Sequence, residues 1–322
     1  MNTPTKVVVT GASGFIGRHL LNELTNTTAS FEVSALSRSG KQLAIESTDR
    51  FRLVKGDLLQ PDTLTDLVQP GSIVVNLVYI SEKGDAANLN AVDNLIEQCM
   101  DKGVRRLVHC STAVVSGGVN ETEIDENTDI LPVTDYEKLK FEIENRILAT
   151  PDNFEKVILR PTAVFGKGGS NLMKLMNDLV HGSSFKNYLR SCLYHKRCMN
   201  LVCVENVVTA LMVLINADSL PDKEVYLVSE DDNENNNFRF VEQFLRKKLQ
   251  ARNLSFPRLP IPASLFSIVA KIAGQPIAPP KRVYSAQKLS RLGWQKKISF
   301  EEGLARFADW YQKNYIGNNG RI

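Results

Sequence analysis

Three glycines near the start of the chain constrain its fold more than any other feature of the sequence. Gly11, Gly14 and Gly17 follow a β-branched run at residues 6–10 and open a segment of helical periodicity at 15–24. In such a unit the first glycine allows a tight turn, the second lets the backbone approach a pyrophosphate, and the third lets the helix pack closely on the strand. The helix N-terminus offers unpaired N–H groups and a positive dipole end to the phosphates. This context predicts a βα unit that binds a dinucleotide.

Strand-like and helix-like segments then alternate for about half of the chain. Strands are predicted at 31–36, 52–55, 72–77, 104–110 and 156–160, and helices at 61–68, 85–102 and 136–148. Several of these strands are apolar throughout, which is typical of a parallel sheet covered by helices on both faces. The sequence therefore predicts an α/β fold with a doubly wound parallel sheet of the Rossmann type.

The alternation breaks after residue 166. Beyond it we predict helices at 171–181 and 204–217, a strand at 224–228, a polar loop at 229–237 and a short apolar helix at 263–273 within the proline-rich stretch 259–280. We interpret residues 1–165, with returns near 198–230, as the NAD(P)-binding domain. Residues 166–322 are predicted to form mainly a smaller, interleaved C-terminal lobe that binds substrate.

Composition excludes several classes of function. The 39 lysines and arginines oppose 36 aspartates and glutamates without any basic stripe, so no nucleic-acid partner is expected. The five cysteines lack framework spacing. The cluster Cys192, His195, Cys198 and Cys203 matches no usual ligand pattern, so we predict no metal site. The four histidines show no base or ligand arrangement and are predicted to be structural.

No targeting or membrane signal is evident in the sequence. Residues 1–5 run straight into a strand without a basic or apolar leader region. The longest apolar stretches are too short to span a bilayer. We therefore expect a cytoplasmic protein that does not contact membranes.

A tyrosine and a lysine four residues apart, Tyr136 and Lys140, fall on the predicted helix at 136–148. A tyrosine with its ordinary pKa of about 10 is a poor base at neutral pH. A lysine one helical turn away lies on the same face, and its charge favours the phenolate. Lys140 can also hold the nicotinamide ribose hydroxyls. The pair is thus suited to moving a proton while a hydride moves, although Tyr136 could also be an ordinary half-buried aromatic.

The end of the second predicted strand governs the choice of cofactor. An aspartate about 20 residues after the glycines would bind the ribose hydroxyls of NAD. This chain has Ser37 there, followed by Arg38, with Lys41 nearby. A cation without a carboxylate suits the additional phosphate of NADP, whereas an Arg38 that stacks on adenine would accept either cofactor. We predict NADP, with NAD as the alternative.

Taken together, these motifs resemble the extended short-chain dehydrogenase/reductase family. The segment Thr10-Gly11-Ala12-Ser13-Gly14-Phe15-Ile16-Gly17 is similar to the family's opening motif. Similar segments continue along most of the chain: Gly56-Asp57-Leu58, Asn76-Leu77-Val78, Leu159-Arg160-Pro161, Phe165-Gly166, Val204-Glu205-Asn206-Val207, Leu292-Gly293-Trp294 and the final helix at 301–311. Asn76-Leu77-Val78 departs from the family's usual His-Leu-Ala but holds the same place.

The resemblance implies roles for individual residues. It makes Tyr136 the acid/base and Lys140 its partner, and it gives Thr112 the substrate-orienting role of the family's serine, with Ser111 as the fallback. It implies cofactor contacts at Gly11, Ser13, Gly14, Phe15, Ile16, Gly17, Asp57, Leu58, Asn76, Leu77, Asn88, Tyr136, Lys140, Arg160 and Pro161. Ser111, Ser116 and Thr162 are predicted substrate contacts. Ser116 replaces a tyrosine that is often found there, so some substrate-side contacts are expected to differ from those of the family.

Extended members of the family mostly act on nucleotide-linked sugars, as epimerases, dehydratases or ketoreductases, while others reduce steroid or flavonoid ketones. A dehydratase typically has Thr-Asp-Glu at the active hydroxyl, whereas Thr112 is followed here by Ala113 and Val114, so dehydration is not expected. The expected NADP favours a ketoreductase over an epimerase. The chain looks most like 4-keto sugar reductases and epimerases of bacterial surface-polysaccharide pathways.

The cation that the family often supplies for a substrate diphosphate is replaced here by Met199. Candidates to take its place are Arg190, Lys196, Arg197, Lys281 and Arg282, each of which could also be a solvated surface residue. Arg197 and Arg282 are the predicted substrate contacts among them.

The leading hypothesis is therefore an NAD(P)-dependent oxidoreductase or epimerase that acts on a nucleotide-activated sugar. One alternative is a reductase of a small apolar ketone or aldehyde, which the apolar segment 263–273 would suit. Another is a non-catalytic NAD(P)-binding sensor or assembly protein. Family members often pair through the helices predicted at 85–102 and 136–148, so a homodimer is expected.

Overall fold

A computed structural model of the chain describes residues 4–38, 50–151, 153–251 and 279–316. Its strands are β1 (Thr5–Thr10), β2 (Phe31–Ser37), β3 (Phe51–Lys55), β4 (Ile73–Asn76), β5 (Arg106–Cys110), β6 (Glu123–Ile124), β7 (Glu155–Pro161), β8 (Ala163–Phe165), β9 (Leu201–Cys203), β10 (Glu224–Val228) and β11 (Val283–Tyr284). A seven-stranded sheet has the order β10-β7-β5-β4-β1-β2-β3, and each of its strand pairs is parallel. This order places the carboxyl ends of β1, β4 and β5 side by side.

The described helices are α1 (Phe15–Asn26), α2 (Gly84–Lys102), α3 (Asp135–Ala149), α4 (Met173–His181), α5 (Ser184–Tyr194), α6 (Val204–Asn216), α7 (Phe238–Lys248), α8 (Gln287–Arg291) and α9 (Phe300–Tyr311). Short 3₁₀ turns occupy Pro61–Leu64 and Ala113–Ser116, and a π-helical turn follows α9 at Gln312–Ile316. In this part of the chain, no helix is long and apolar enough to cross a membrane.

The sheet is buried on both faces because its strands send alternate side chains to opposite sides. Val7 and Val9 of β1 pack into a core with α1 and α6, while Val8 joins a second core with α2 and α3. These side chains are at most 2% exposed. The predicted doubly wound parallel sheet is therefore confirmed, and the two-sided burial explains why its strands are apolar throughout.

A further hydrophobic cluster lies among the C-terminal elements. Phe165, Met176, Leu245, Phe307 and Tyr311 belong to this cluster, which joins α4, α7 and α9. β10 returns to the main sheet beside β7, so the C-terminal half is interleaved with the first. The division into residues 1–165 and 166–322 stays a prediction. The apolar helix predicted at 263–273 lies outside the described residues, as does Lys41.

Two local predictions need correction. The helix predicted at 61–68 is wrong, since only the 3₁₀ turn Pro61–Leu64 forms and is followed by separate turns up to Gly71. Gly71 has a φ of +71°, which breaks helical geometry. The structure also adds α5 and α7, which were not among the predicted helices. The start of α7 is set by Asn237, whose side chain accepts a hydrogen bond from Phe240 N at 3.0 Å.

Candidate active site

The glycine turn between β1 and α1 has no room for side chains. Gly11 has a φ of +71°, and a Cβ there would lie 2.9 Å from the carbonyl carbon of Leu77. A Cβ on Gly17 would lie 2.2 Å from the carbonyl oxygen of Gly11. Gly14 caps α1, and its N–H donates to the Gly11 carbonyl at 2.9 Å. The turn thus leaves a cradle beside the free N–H groups of a helix N-terminus, which suits a pyrophosphate.

An open cleft of about 220 Å³ extends from this turn along the carboxyl ends of β2, β3 and β4. Its lining includes the predicted cofactor residues Gly11, Ser13, Gly14, Arg38, Asp57, Leu58 and Leu77. It also includes Val78, the last residue of the motif Asn76-Leu77-Val78, and Tyr79 and Ile80, which the motifs did not identify. Their position directly after a parallel strand was the available signal, since ligands bind outside the carboxyl ends of such strands. The structure thus brings the glycine turn and Arg38 to one cleft.

The predicted cofactor residues Phe15 and Ile16 form the first turn of α1. The Phe15 ring lies so close to Gly169 that a Cβ on that glycine would be 2.7 Å from it. Ile16 packs against the hydrophobic core on the α1 side of the sheet. Together they tie the glycine turn to the loop after β8 and to the core.

The start of α3 is set by a capping box that places Tyr136 in the first turn. The Thr134 side chain accepts from Glu137 N at 3.3 Å, and Glu137 Oε2 accepts from Thr134 N at 3.1 Å. The pattern Thr-x-x-Glu is a known helix-start signal. Because the helix begins at Asp135, Tyr136 and Lys140 lie one turn apart, as the spacing predicts.

The Tyr136 side chain lies near Thr112 and packs against Tyr79, which lines the cleft. It is 41% exposed, its hydroxyl lies close to the Thr112 side chain, and its ring meets Tyr79 edge-on with centroids 5.2 Å apart. Partial burial raises the pKa of Tyr136, with further contributions from Cys110 and Tyr79, while the Thr112 bond opposes this rise. Tyr136 therefore keeps its proton at neutral pH in the absence of other charges.

Thr112 lies at the end of β5 and caps the short turn Ala113–Ser116. Its Oγ1 accepts from Val114 N at 3.4 Å. The same hydroxyl can therefore serve both the turn and the Tyr136 hydroxyl. The structure brings Thr112, Tyr136 and the cleft-lining Tyr79 into one cluster.

Lys140 lies beneath Tyr136 and is only 3% exposed. Its Nζ donates to the Cys110 carbonyl at 3.1 Å and lies 3.3 Å from His109 Nε2. Burial lowers the pKa of Lys140, while Cys110 and Glu144 oppose this effect. The amine is thus held against β5.

Three further predicted cofactor residues make structural contacts around the cleft. Arg160 and Glu144 form a buried bidentate pair, with Arg160 Nε 3.1 Å from each carboxylate oxygen. Asn88 accepts from Ile80 N at 2.8 Å and donates to the carbonyls of Ile80 and Gly84. Asn88 therefore anchors the cleft wall. Pro161 ends β7 next to Arg160.

The predicted substrate residues Ser111, Ser116 and Thr162 are buried at the carboxyl edge of the sheet, at 7%, 3% and 6% exposed. Within the described ranges, Ser111 Oγ and Thr162 Oγ1 have no hydrogen-bond partner. They follow the neighbouring strands β5 and β7. Buried polar groups are normally paired, so these two hydroxyls still have the capacity to hydrogen-bond to a ligand.

The predicted diphosphate cations have different surroundings. Arg282 is 3% exposed and donates to the carbonyls of Gly117, Val119 and Glu121, so it holds the loop after Thr112. The pKa of Arg197 is lowered mainly by burial, and the nearby Arg282 cation adds to this.

Arg190, the third arginine considered for the diphosphate, forms an ion pair of 2.6 Å with Asp178. The cysteines that have been considered as ligands are free thiols, and no group of metal-binding side chains occurs among the described residues.

Comparison with known proteins agrees with this geometry. The chain matches the model of the NAD dependent epimerase/dehydratase family over residues 7–229. The UDP-glucose 4-epimerase of Vibrio cholerae is 24% identical over 329 residues, which cover 95% of each chain.

Solved structures with this fold hold either nicotinamide cofactor. A dTDP-glucose 4,6-dehydratase from Bacillus anthracis in complex with NAD superposes with a TM-score of 0.72 at 19% identity, covering 96% of this chain and 97% of that one. RMD from Pseudomonas aeruginosa complexed with NADPH gives a TM-score of 0.65 at 20% identity, covering 96% and 100%.

Proposed function

This chain belongs to the NAD-dependent epimerase/dehydratase family, and on that premise we propose that it exchanges hydride at a carbinol or keto carbon of a nucleotide-activated sugar. Family membership agrees with the resemblance seen in the sequence. The observation that carries the proposal is the approach of the Tyr136 hydroxyl to the Thr112 side chain, next to Tyr79 of the glycine-lined cleft. It combines a proton donor, an orienting hydroxyl and a dinucleotide cradle.

The cradle fits a nicotinamide dinucleotide. Gly11, Gly14 and Ser13 would hold its pyrophosphate, because side chains at positions 11 and 17 would fill the space that the turn leaves. Asp57 and Leu58 would lie on the adenine side. We propose NADP as the cofactor, because Arg38 lines the cleft just after β2 and Ser37 offers no carboxylate to the ribose.

The chemistry of the site follows from its own side chains. When bound, the nicotinamide supplies or accepts the hydride. In the reducing direction, Tyr136 donates its phenolic proton to the substrate carbonyl oxygen, and Thr112 orients that oxygen by a hydrogen bond. In the oxidising direction, the phenolate of Tyr136 takes the proton from the substrate hydroxyl. Because burial raises the pKa of Tyr136, the resting site is poised for the reducing direction.

Among the family's reactions, we propose ketone reduction or epimerisation. Relatives of the chain by fold include a dehydratase, whose chemistry requires additional acid and base groups. Here the residues after Thr112 are Ala113, which is buried, and Val114, which is 37% exposed, and neither can transfer a proton. The NADP proposal favours the ketoreductase, since an epimerase retains and recycles its cofactor.

A nucleotide sugar is the proposed substrate because the relatives act on this class. The similar Vibrio cholerae protein is named for UDP-glucose, and the similar Bacillus anthracis structure for dTDP-glucose. Arg197 is the proposed contact for the diphosphate. Arg282 supports it indirectly, because its guanidinium holds the loop that begins after Thr112.

Thermal unfolding in the presence of NADPH tests the substrate class. UDP-glucose or dTDP-glucose is expected to raise the melting temperature at concentrations where glucose alone does not, since a ligand that binds only the folded state stabilises it. Arg197→Ala should reduce the shift, whereas Arg190→Ala, which breaks the pair with Asp178, should leave it unchanged. If no UDP- or dTDP-sugar protects the protein but a small apolar ketone does, the nucleotide-sugar proposal is wrong.

A further inference from the structure

A buried chain of hydrogen bonds runs beneath the candidate active site from β1 to α3. Thr10 Oγ1 lies 2.7 Å from Asn76 Oδ1, Asn76 Nδ2 lies 3.1 Å from His109 Nδ1, and His109 Nε2 lies 3.3 Å from Lys140 Nζ. None of the four side chains is more than 3% exposed. In such surroundings each donor must meet an acceptor, because an unpaired buried polar group is costly.

The backbone N–H of Val78 fixes, at Asn76, the direction of the hydrogen bonds in this series. Val78 N lies 3.2 Å from Asn76 Oδ1, and a peptide N–H can only donate. The atom that faces Val78 is therefore the amide oxygen, which also accepts from the Thr10 hydroxyl. Consequently the amide nitrogen of Asn76 faces the imidazole of His109.

The orientation of Asn76 determines the protonation of His109. Since Asn76 Nδ2 can only donate, His109 Nδ1 must accept, and the single proton of a neutral imidazole lies on Nε2. If His109 were an imidazolium, its Nδ1–H would face the Nδ2–H of Asn76, and two donors cannot form a hydrogen bond. Burial lowers the pKa of His109 well below its ordinary value, and the neighbouring Lys140 charge acts in the same direction, so the neutral ring agrees with its surroundings.

The Nε2–H of His109 then faces Lys140 Nζ. An ammonium has three donors and no acceptor, whereas a neutral amine offers a lone pair. A neutral Lys140 accepts from His109 and donates to the Cys110 carbonyl, which satisfies both contacts.

The other groups that face Lys140 do not force it to carry a charge. Burial raises the pKa of the Cys110 thiol to about 11, so this neighbour on β5 is uncharged at neutral pH. Glu144, one turn further along α3, is already bound by the Arg160 guanidinium from β7. Burial lowers the pKa of Lys140 against the opposing effects of Cys110 and Glu144.

We propose that Asn76 holds His109 as its Nε2–H tautomer, and that His109 donates to Lys140 and keeps its amine uncharged in the protein without bound cofactor. His109 and Asn76 are then positioning residues that act through Lys140. The functional consequence rests on the proposed function, in which Tyr136 is the acid/base. An uncharged Lys140 does not stabilise the phenolate, so Tyr136 keeps its proton. The resting site is therefore an acid that transfers this proton to a substrate carbonyl oxygen, and solvent restores it afterwards.

Nuclear magnetic resonance of the ¹⁵N-labelled cofactor-free protein tests the tautomer directly. Long-range correlations of the imidazole nitrogens are expected to show an unprotonated Nδ1 and a protonated Nε2 for His109 at neutral pH. The signal is assigned as the one lost in His109→Phe, or by elimination through single replacements of the other three histidines. An Nδ1–H tautomer or an imidazolium at neutral pH overturns the proposal.

The charge of Lys140 is read from ¹³C-labelled lysine, with its signal identified by its loss in Lys140→Met. The Cε resonance should titrate with a midpoint below neutral pH, whereas the other lysines titrate near their ordinary pKa of about 10.4. In Asn76→Asp, the new carboxylate accepts from Nδ1–H of His109, so His109 changes to its Nδ1–H tautomer. The midpoint of the Lys140 titration then rises, because Nε2 can accept from the ammonium. Thr10→Val is the matched control, because Val78 N still orients Asn76, and it should preserve the wild-type tautomer.

A Lys140 signal whose midpoint lies above neutral pH contradicts the proposal, because the amine would then be charged in the resting site. So does a wild-type tautomer that persists in Asn76→Asp. Both measurements use protein without cofactor or substrate, so their failure is distinct from a failure of nucleotide sugars to bind.

Discussion

At the scale of single residues, Tyr136 and Thr112 account for the proposed proton transfer. The Tyr136 hydroxyl lies close to the Thr112 side chain, and its ring packs edge-on against Tyr79. The ring contact is independent of the hydroxyl, so the chemical and packing contributions of Tyr136 can be separated by removing a single oxygen atom.

Tyr136→Phe should lower kcat by about 10²–10⁴-fold, which is the usual contribution of a positioned proton donor. The affinity for NADPH should change little, because the ring stays in place. Steady-state kinetics and fluorescence titration of NADPH measure the two effects. Tyr79→Phe is the matched control and should retain near wild-type kcat; equal losses in both variants would contradict the assigned role.

Arg38 is the residue on which the choice of cofactor depends. Arg38→Ser should weaken NADPH binding by roughly 10–100-fold, since a hydrogen bond to a charged group contributes about 1.5–3 kcal/mol. Binding of NADH should be nearly unchanged and serves as the internal control. Equal losses for the two cofactors would show that Arg38 stacks on adenine without contacting the additional phosphate.

Sequence motifs predicted the residues that line the cleft better than those that hold the lysine. Gly11, Arg38 and Asp57 follow strands at fixed offsets, and all three line the cleft. Tyr79 was missed because it belongs to no motif. The contact between His109 and Lys140 depends on the pairing of β4 with β5 and on the packing of α3, which no local pattern contains.

At the scale of elements, the start of α3 positions the candidate catalytic tyrosine. Thr134 and Glu137 satisfy each other's backbone N–H groups just before Tyr136. Thr134→Ala should destabilise the protein by about 1 kcal/mol, the usual contribution of an N-cap. Thr134→Ser retains the hydroxyl and should restore stability. Urea unfolding measures both variants, and equal stability of the two would show that the cap does not hold the helix.

Sequence periodicity predicted the elements of the sheet region because burial enforces it there. The predicted strand at 31–36 and helix at 85–102 correspond to β2 and α2 within a residue at each end. The predicted helix at 61–68 failed because Pro70-Gly71 follows closely and separate turns satisfy the backbone. α5 and α7 pack on each other partly through polar groups, including Ser191 and Glu242. The apolar spacing of Phe238, Val241 and Leu245 was nevertheless an available signal for α7.

At the scale of the whole molecule, a buried carboxyl group links stability to pH. Glu230 is fully buried, and it accepts from Cys203 N at 2.6 Å and from Asn206 Nδ2 at 2.8 Å. Burial raises the pKa of Glu230 from 4.5 to about 7, against the opposing hydrogen bonds. Between these values the folded protein keeps a proton that the unfolded chain has lost.

The free energy of unfolding should therefore fall as pH rises from about 5 to 7 and then level off. The loss due to Glu230 is on the order of 1–3 kcal/mol. Glu230→Gln should reduce this dependence and leave the part due to Asp231, whose pKa burial raises to about 6, whereas Asp309→Asn at an exposed site on α9 should not change it. Denaturant unfolding at several pH values measures the slope, and an unchanged slope in Glu230→Gln would contradict the prediction.

We also expect a homodimer formed through α2 and α3. A surface groove between these helices is lined by Ile96, Met100 and Ala149, and the Met100 side chain is 37% exposed. Light scattering should give twice the chain mass of 35.9 kDa. Met100→Lys should shift the protein towards the monomer, while Leu189→Lys, at another exposed apolar residue on α5, should not. A monomeric wild-type protein would exclude the interface.

The central claim is that Tyr136 supports hydride exchange with a nucleotide sugar. Single-turnover absorbance measurements test it most directly, by mixing the protein with oxidised cofactor and UDP- or dTDP-sugars that carry free hydroxyls, or with NADPH and the 4-keto forms of these sugars. We predict that at least one such sugar reduces or oxidises the nicotinamide, at a rate that falls about 10²-fold or more in Tyr136→Phe. An unchanged nicotinamide with every such sugar, or an equal rate in the variant, would contradict this account.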